Sequence, residues 1–219
     1  MKAILTYHSI DDSGSPVSVS PEAFRRHVAW FASGVTRVVS VADLLALPDN
    51  ADAIAITFDD GFRNFGLVAA PLLLGHGLPA TLFVVTDAVG GTNNWGGIAD
   101  TRVPTLELLN WKELATLAGA GIELGSHTRS HPHLPRLSSA AIADELTGSA
   151  ERLEMETGLT PAGFAYPYGE VSDAASSLTE SVYRWACTTS MRAVGPGART
   201  HLLPRVDMYY FREPGRLET

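Results

Sequence analysis

Short apolar runs of strand length alternate along the chain with longer stretches of mixed character. The runs cover residues 2–7, 53–58, 80–85, 122–125, 163–166, 185–189 and 203–206. Strands separated by amphipathic segments are what a parallel sheet or barrel with crossover helices requires, so the pattern predicts an α/β fold. Between the runs, Ser20-Pro21-Glu22 offers a hydroxyl cap followed by a proline whose missing N–H costs nothing in a first turn, and Phe24, Val28 and Phe31 form one stripe. Ser40 opens a shorter helix, Asn110 opens one ending at Gly121, and Ser138 opens a long one ending at Gly158. There is no internal repeat and no low-complexity tract, and residues 1–219 read as a single domain. The one long irregular segment, 87–110, is rich in Gly, Thr and Asn and reads either as a rim over a site or as a surface loop.

Composition narrows the class. Sixteen basic against 24 acidic residues give a formal charge of −8, which disfavours a phosphate-neutralising surface and hence nucleic acid as a partner. The single cysteine, Cys187, excludes an intramolecular disulfide framework and any Cys-rich metal motif. The longest apolar run, Leu67 to Leu74, is eight residues and contains Pro71, far short of a membrane span. The first residues carry no apolar stretch or cleavage site of a secretory signal, so with Met1 as the natural start the expected compartment is the cytoplasm. Nothing in the pattern sets an oligomeric state.

Three clusters carry candidate chemistry. The run at 53–58 stops at Asp59-Asp60-Gly61. Side chains on a regular strand alternate faces, so two adjacent carboxylates serve one site only where the geometry breaks, and Gly61 supplies a permissive backbone for that break. The competing reading has one aspartate capping a helix that begins near Phe62 and the other solvated. The second cluster, Ser126-His127-Thr128-Arg129-Ser130-His131-Pro132-His133, again follows an apolar run. Two histidines four apart on one face of a helical turn direct two imidazoles at one ion, and with a strand-end carboxylate they complete the ligand set of an open catalytic metal site. Histidines also cap and fill space, and His133 reads as local structure. The third, Phe164-Ala165-Tyr166-Pro167-Tyr168-Gly169, ends a buried run with a proline-fixed turn that aims the Tyr168 N–H into the mouth of a barrel; alone it would be a strand end with aromatic packing.

Taken in order and at these separations, residues 57–61, 126–132 and 165–169 resemble the polysaccharide deacetylases of carbohydrate esterase family four, the NodB-homology domain. Leu5-Thr6-Tyr7-His8-Ser9-Ile10 and Leu202-Leu203-Pro204-Arg205-Val206 resemble the branch containing poly-N-acetylglucosamine deacetylases, and the likeness runs from about residue 3 to 208. The resemblance implies a distorted (β/α)7 barrel in which Asp60, His127 and His131 hold a divalent metal, usually zinc, with nickel, cobalt or iron as alternatives. It also implies Asp59 as general base, the Tyr168 N–H as a donor to the oxyanion, and an N-acetylated saccharide of the N-acetylglucosamine type as substrate.

There are departures from the family pattern. The arginine that in many members precedes the Pro-Tyr pair by three residues is here Phe164, and the Leu-x-His motif carrying the general acid is absent near the C-terminus. Arg205 is the candidate to hold Asp59 ionised and oriented, with Asp207 as its partner or a second orienting carboxylate. The resemblance to the branch points to His8 as the acid; a strand-end histidine bonded to its loop is the plainer reading, and His201 is the rival acid. Trp95 and Trp111 flank the long segment, either stacking on a sugar or anchoring the loop. His27 and His76 read as surface or packing residues, and Cys187 lies outside the chemistry. The expectation is a metal-dependent carbohydrate N-deacetylase. The alternatives are an amidohydrolase acting on another small amide and a catalytically inactive carbohydrate-binding domain.

Overall fold

A computed structural model of the chain describes residues 1–95 and 102–217. Seven parallel strands form its frame: β1 (Lys2–Tyr7), β5 (Ala53–Phe58), β6 (Ala80–Val84), β7 (Glu123–Ser126), β8 (Gly163–Ala165), β9 (Trp185–Cys187) and β10 (Val206–Asp207), ordered β10-β1-β5-β6-β7-β8-β9. The two-residue β4 (Arg37–Val38) pairs with Ala53 and Ile54 of β5 before β6 takes over at Ile56. A further two-residue parallel pair, β2 (Ser9–Ile10) and β3 (Ser18–Val19), follows β1 along the chain as a separate small sheet. The helices are α1 (Pro21–Ala32), α2 (Val41–Ala46), α3 (Ala70–Gly75), α4 (Trp111–Gly119), α5 (Ser139–Thr157) and α6 (Asp173–Val182).

Residues 203–207 close the ring. Leu203 donates to Ala186 O at 2.9 Å and accepts from Thr188 N at 2.8 Å, so it lies against β9; Val206 and Asp207 then pair with Leu5 and Thr6 of β1. The result is a distorted seven-stranded α/β barrel. The strand predicted at 203–206 is therefore divided: Pro204 has no N–H to give a ladder, and regular pairing begins only at Val206. A helix does start next to Phe62: Phe62 itself bridges to Leu108, and from Arg63 the chain is helical, through a π turn at Phe65–Ala69 and into α3, where Pro71 removes a donor.

The strands bury both faces, which is why their sequences show no polar alternation. Leu5, Tyr7, Ile54, Ile56 and Phe58 meet Phe24, Val28 and Phe31 of α1 outside the barrel, while Ile4, Ala53, Ala55, Phe83, Ala165, Trp185 and Cys187 fill its interior. The predicted caps form: Ser20, Ser40 and Ser138 accept from the backbone three residues on, and Asn110 makes a reciprocal capping box with Glu113. Helix α6, for which the apolar pattern gives no expectation, has a cap of the same kind at Ser172.

Large interior rings fit because glycines face them. A Cβ at Gly163 would lie 2.2 Å from the Trp185 ring. Gly163→Ala is therefore expected to cost about 1–3 kcal/mol of unfolding free energy through overpacking, read by urea denaturation; an unchanged midpoint would contradict this packing.

Candidate active site

The site forms where the strands end. Along β5 the interior positions are Ala53, Ala55 and Thr57, so Asp59 continues inward; the chain then turns left-handed at Asp60 (φ 75°) and Gly61 (φ 78°), bringing the second carboxylate to the same cavity. The break lies at Asp60 as well as at the glycine. His127 follows β7, its N–H still bonded to Val84 O at 2.9 Å. The expected helical turn between the histidines is not present. Thr128 (φ 69°) and His131 (φ 58°) are left-handed, and the turn is closed by His131 N donating to Thr128 Oγ1 at 3.0 Å. Tyr168 after β8 has φ 59°. Among the described residues these four are the only non-glycine residues with positive φ. Each costs about 1–2 kcal/mol, and strain of this kind concentrates where geometry serves a site.

A cavity of about 220 Å³ opens there, lined by His8, both aspartates, His127, His131 and Tyr168. His127 Nε2 and His131 Nε2 each lie 3.5 Å from Asp60 Oδ1. His127 Nδ1 donates to Ala165 O at 2.7 Å, so in the neutral ring Nε2 is the nitrogen with a lone pair to offer a cation. Asp60 Oδ1 is buried and accepts no hydrogen bond. Acceptor atoms converging within 4.8 Å of one another are the donor set of a tetrahedral cation with an open position, so these residues fit a divalent metal. Burial and the neighbouring Asp59 charge raise the Asp60 carboxyl; burial and His127 push His131 well below the usual imidazole range. A cation would reverse the shift at Asp60 and reinforce the one at His131, keeping the carboxylate ionised and the imidazole neutral.

Asp59 is held differently. Arg205, 1% exposed, grips it with both terminal nitrogens, Nη1 to Oδ1 at 2.6 Å and Nη2 to Oδ2 at 2.7 Å, while its Nε donates to Thr188 O at 3.0 Å. Burial alone would raise the carboxyl, but the charge and hydrogen bonds of Arg205, with His127 and His8, hold it well below the usual carboxylate range. His8 Nε2 stands 3.7 Å from Asp59 Oδ2.

Trp95 lines the cavity with its ring 4.6 Å from that of His131, and Asn93, Val103 and Thr105 make the described part of segment 87–110 a rim; residues 96–101 lie outside the described residues. Trp111 packs on the core beneath Arg152, away from the cavity. His133 stacks on Tyr168 at 4.1 Å and pairs with Glu170. His201 Nε2 bonds Tyr183 O at 3.0 Å and does not line the cavity, and Asp207 caps the last turn through Tyr209 N at 3.0 Å. Phe164 points away from the site into a cluster with Tyr166 and Tyr183. His27 is buried between Tyr7 and Phe211, and His76 is exposed. Cys187 is buried in the barrel, its thiol pushed up to about 12. Sequence reasoning missed Asn64, which donates to Ser9 Oγ at 2.7 Å and accepts from Ile10 N at 3.1 Å, tying the chain after His8 to the chain after Asp60. A lone asparagine has no spacing to betray it.

An α/β barrel with carboxylates and imidazoles gathered at the carboxyl ends of its strands has the layout of a barrel hydrolase. The model of one hydrolase family, polysaccharide deacetylase, matches residues 46–183, and the chain belongs to that family, whose members act on N-acetyl groups. A poly-beta-1,6-N-acetyl-D-glucosamine N-deacetylase of Staphylococcus aureus is 24% identical over 203 residues, covering 86% of this chain and 67% of the relative. The structure of IcaB from Ammonifex degensii superposes with a TM-score of 0.80 at 20% identity over 95% of this chain and 94% of that one. The Streptococcus pyogenes deacetylase PplD in complex with acetate gives 0.79 at 21%, over 94% and 91%. Among the described residues no helix is long and apolar enough to cross a membrane.

Arg205→Met leaves a buried carboxylate unpaired and is expected to destabilise the fold by about 3–5 kcal/mol; adding Asp59→Asn should recover much of that loss in a denaturation cycle. Additive single effects would contradict a direct pairing.

Proposed function

We propose that the protein is a metal-dependent N-deacetylase of N-acetylglucosamine-type saccharides, with residues 1–219 acting as one catalytic domain. The observation that carries this reading is a buried, hydrogen-bond-free Asp60 oxygen facing two imidazole nitrogens, beside a second carboxylate held ionised by Arg205. The relatives named as poly-beta-1,6-N-acetyl-D-glucosamine N-deacetylases support the substrate class, and the rings of Trp95 and Tyr168 on the cavity wall suit the apolar face of a sugar. A divalent cation on Asp60, His127 and His131, zinc foremost with nickel, cobalt or iron as alternatives, would supply Lewis-acid polarisation and lower the pKa of nearby water.

Asp59 takes a proton from the attacking water as the oxygen adds to the acetamide carbonyl carbon. Arg205 keeps that carboxylate charged and fixes its plane. The Tyr168 N–H donates a hydrogen bond to the oxyanion. His8, on the cavity wall with Nε2 3.7 Å from Asp59 Oδ2, gives a proton to the sugar nitrogen as the C–N bond breaks, releasing acetate and a free amine.

Acetate release from N-acetylated oligosaccharides of increasing length tests the reading. Turnover should require a divalent ion and disappear on chelation and in His127→Ala; full turnover in the presence of chelator would overturn it. Asp59→Asn should lower kcat about 10²–10⁴-fold with metal retained, whereas Asp60→Ala should lose both metal and activity. His8→Ala should alter the alkaline limb of the pH–rate profile, and an unchanged limb assigns the acid elsewhere.

A further inference from the structure

The turn between the two histidines has an anchor that none of the site chemistry uses. Glu145 projects from α5, and its Oε2 accepts from both Arg129 N at 2.8 Å and Ser130 N at 3.0 Å, while Oε1 accepts from Ser130 Oγ at 2.6 Å. These are the two peptides between Thr128 and His131, the left-handed residues that give the turn its shape. On its other flank the turn is bonded to the chain after β6, Thr86 N to Thr128 O at 3.2 Å and Asp87 N to Arg129 O at 2.9 Å. Gly148, one turn along α5, leaves room for the Arg129 stem, since a Cβ there would lie 2.7 Å from Arg129 Cδ.

We propose that Glu145 is a positioning residue for the metal site: its carboxylate holds the 128–131 backbone in the left-handed form that aims His127 and His131 at Asp60. Left-handed threonine and histidine are disfavoured on their own, so an unanchored turn relaxes toward ordinary φ values and carries the His131 imidazole away from Asp60. Three donors converge on Glu145, and only an ionised carboxylate offers acceptors on both oxygens. A glutamine of the same shape keeps one acceptor and turns an NH2 toward a donor. Asp144, the adjacent carboxylate on α5, differs: it meets only the Arg129 guanidinium, at 2.6 Å, and does not touch the turn's backbone.

The inference rests on the metal-site reading, and the experiment separates the two. Zinc affinity is measured by competition with a chromogenic chelator for the wild type and for Glu145→Gln, Ser130→Ala and Asp144→Asn, together with the thermal midpoint of each protein with and without saturating zinc. Glu145→Gln should weaken zinc binding about tenfold or more, comparable to losing a group that orients a ligand, and should shrink the rise in midpoint that zinc confers. Ser130→Ala removes one of the three donors without a charge change and should weaken zinc binding by a smaller factor, which keeps the test open if the glutamine variant does not fold. Asp144→Asn should bind zinc like the wild type. Wild-type zinc binding with unaltered affinity in both Glu145→Gln and Ser130→Ala would overturn the role of Glu145. Absence of zinc binding by the wild type would instead remove the metal-site reading and this inference with it.

Discussion

Arg205 reaches into the mouth of the barrel and closes on Asp59 with two short hydrogen bonds, both groups almost wholly removed from water. Burying two charges costs several kcal/mol each before their attraction returns any of it, so such a pair is weak as a stabiliser and strong as a constraint on geometry. The same guanidinium donates to Thr188 O beyond β9 and to Thr57 Oγ1 on β5. One side chain from the closing segment thus ties together both ends of the ring and the strand that carries the aspartates. Its charge also outweighs burial at Asp59, so two neighbouring carboxylates differ in character: one held ionised by a cation of the protein, the other raised and fitted for a cation from solution.

The rest of the site follows from how the strands end. Parallel strands deliver their last residues to one rim, but regular geometry would send alternate side chains to opposite faces. Left-handed residues at Asp60, Thr128, His131 and Tyr168 break that alternation at the rim, where Asp60, His131 and Tyr168 line the cavity. The barrel beneath supplies rigidity, with Phe83 and Trp185 packed edge to face and glycines 125 and 163 accommodating them.

Much of this was legible in the residues. Apolar runs bounded by caps and glycines marked six of the seven barrel strands, because strands buried on both faces leave an uninterrupted signal. The two-residue strands β2, β3 and β4 left none, and β10 was displaced by Pro204 from its expected span. Within the site, sequence could pair residues by motif and order but not by fine geometry. A four-residue spacing reads as a helical turn, and only the backbone shows that Thr128 and His131 achieve the convergence by left-handed φ values. Arg205 was legible as a candidate because the Phe164 position left Asp59 without its usual partner. Asn64 and Glu145 were not, since each acts by hydrogen bonds to backbone far away in sequence, a relation no local pattern encodes.

The central claim is that Asp60, His127 and His131 form a single cation site beside an ionised Asp59. Anomalous scattering at the zinc edge from crystals of the zinc-loaded protein tests it most directly. The account predicts one strong peak at bonding distance, about 2.0–2.2 Å, from an Asp60 oxygen and both imidazole Nε2 atoms, with Asp59 still paired to Arg205. A cavity without a peak, or a peak bound by Asp59 in place of Asp60, would contradict it.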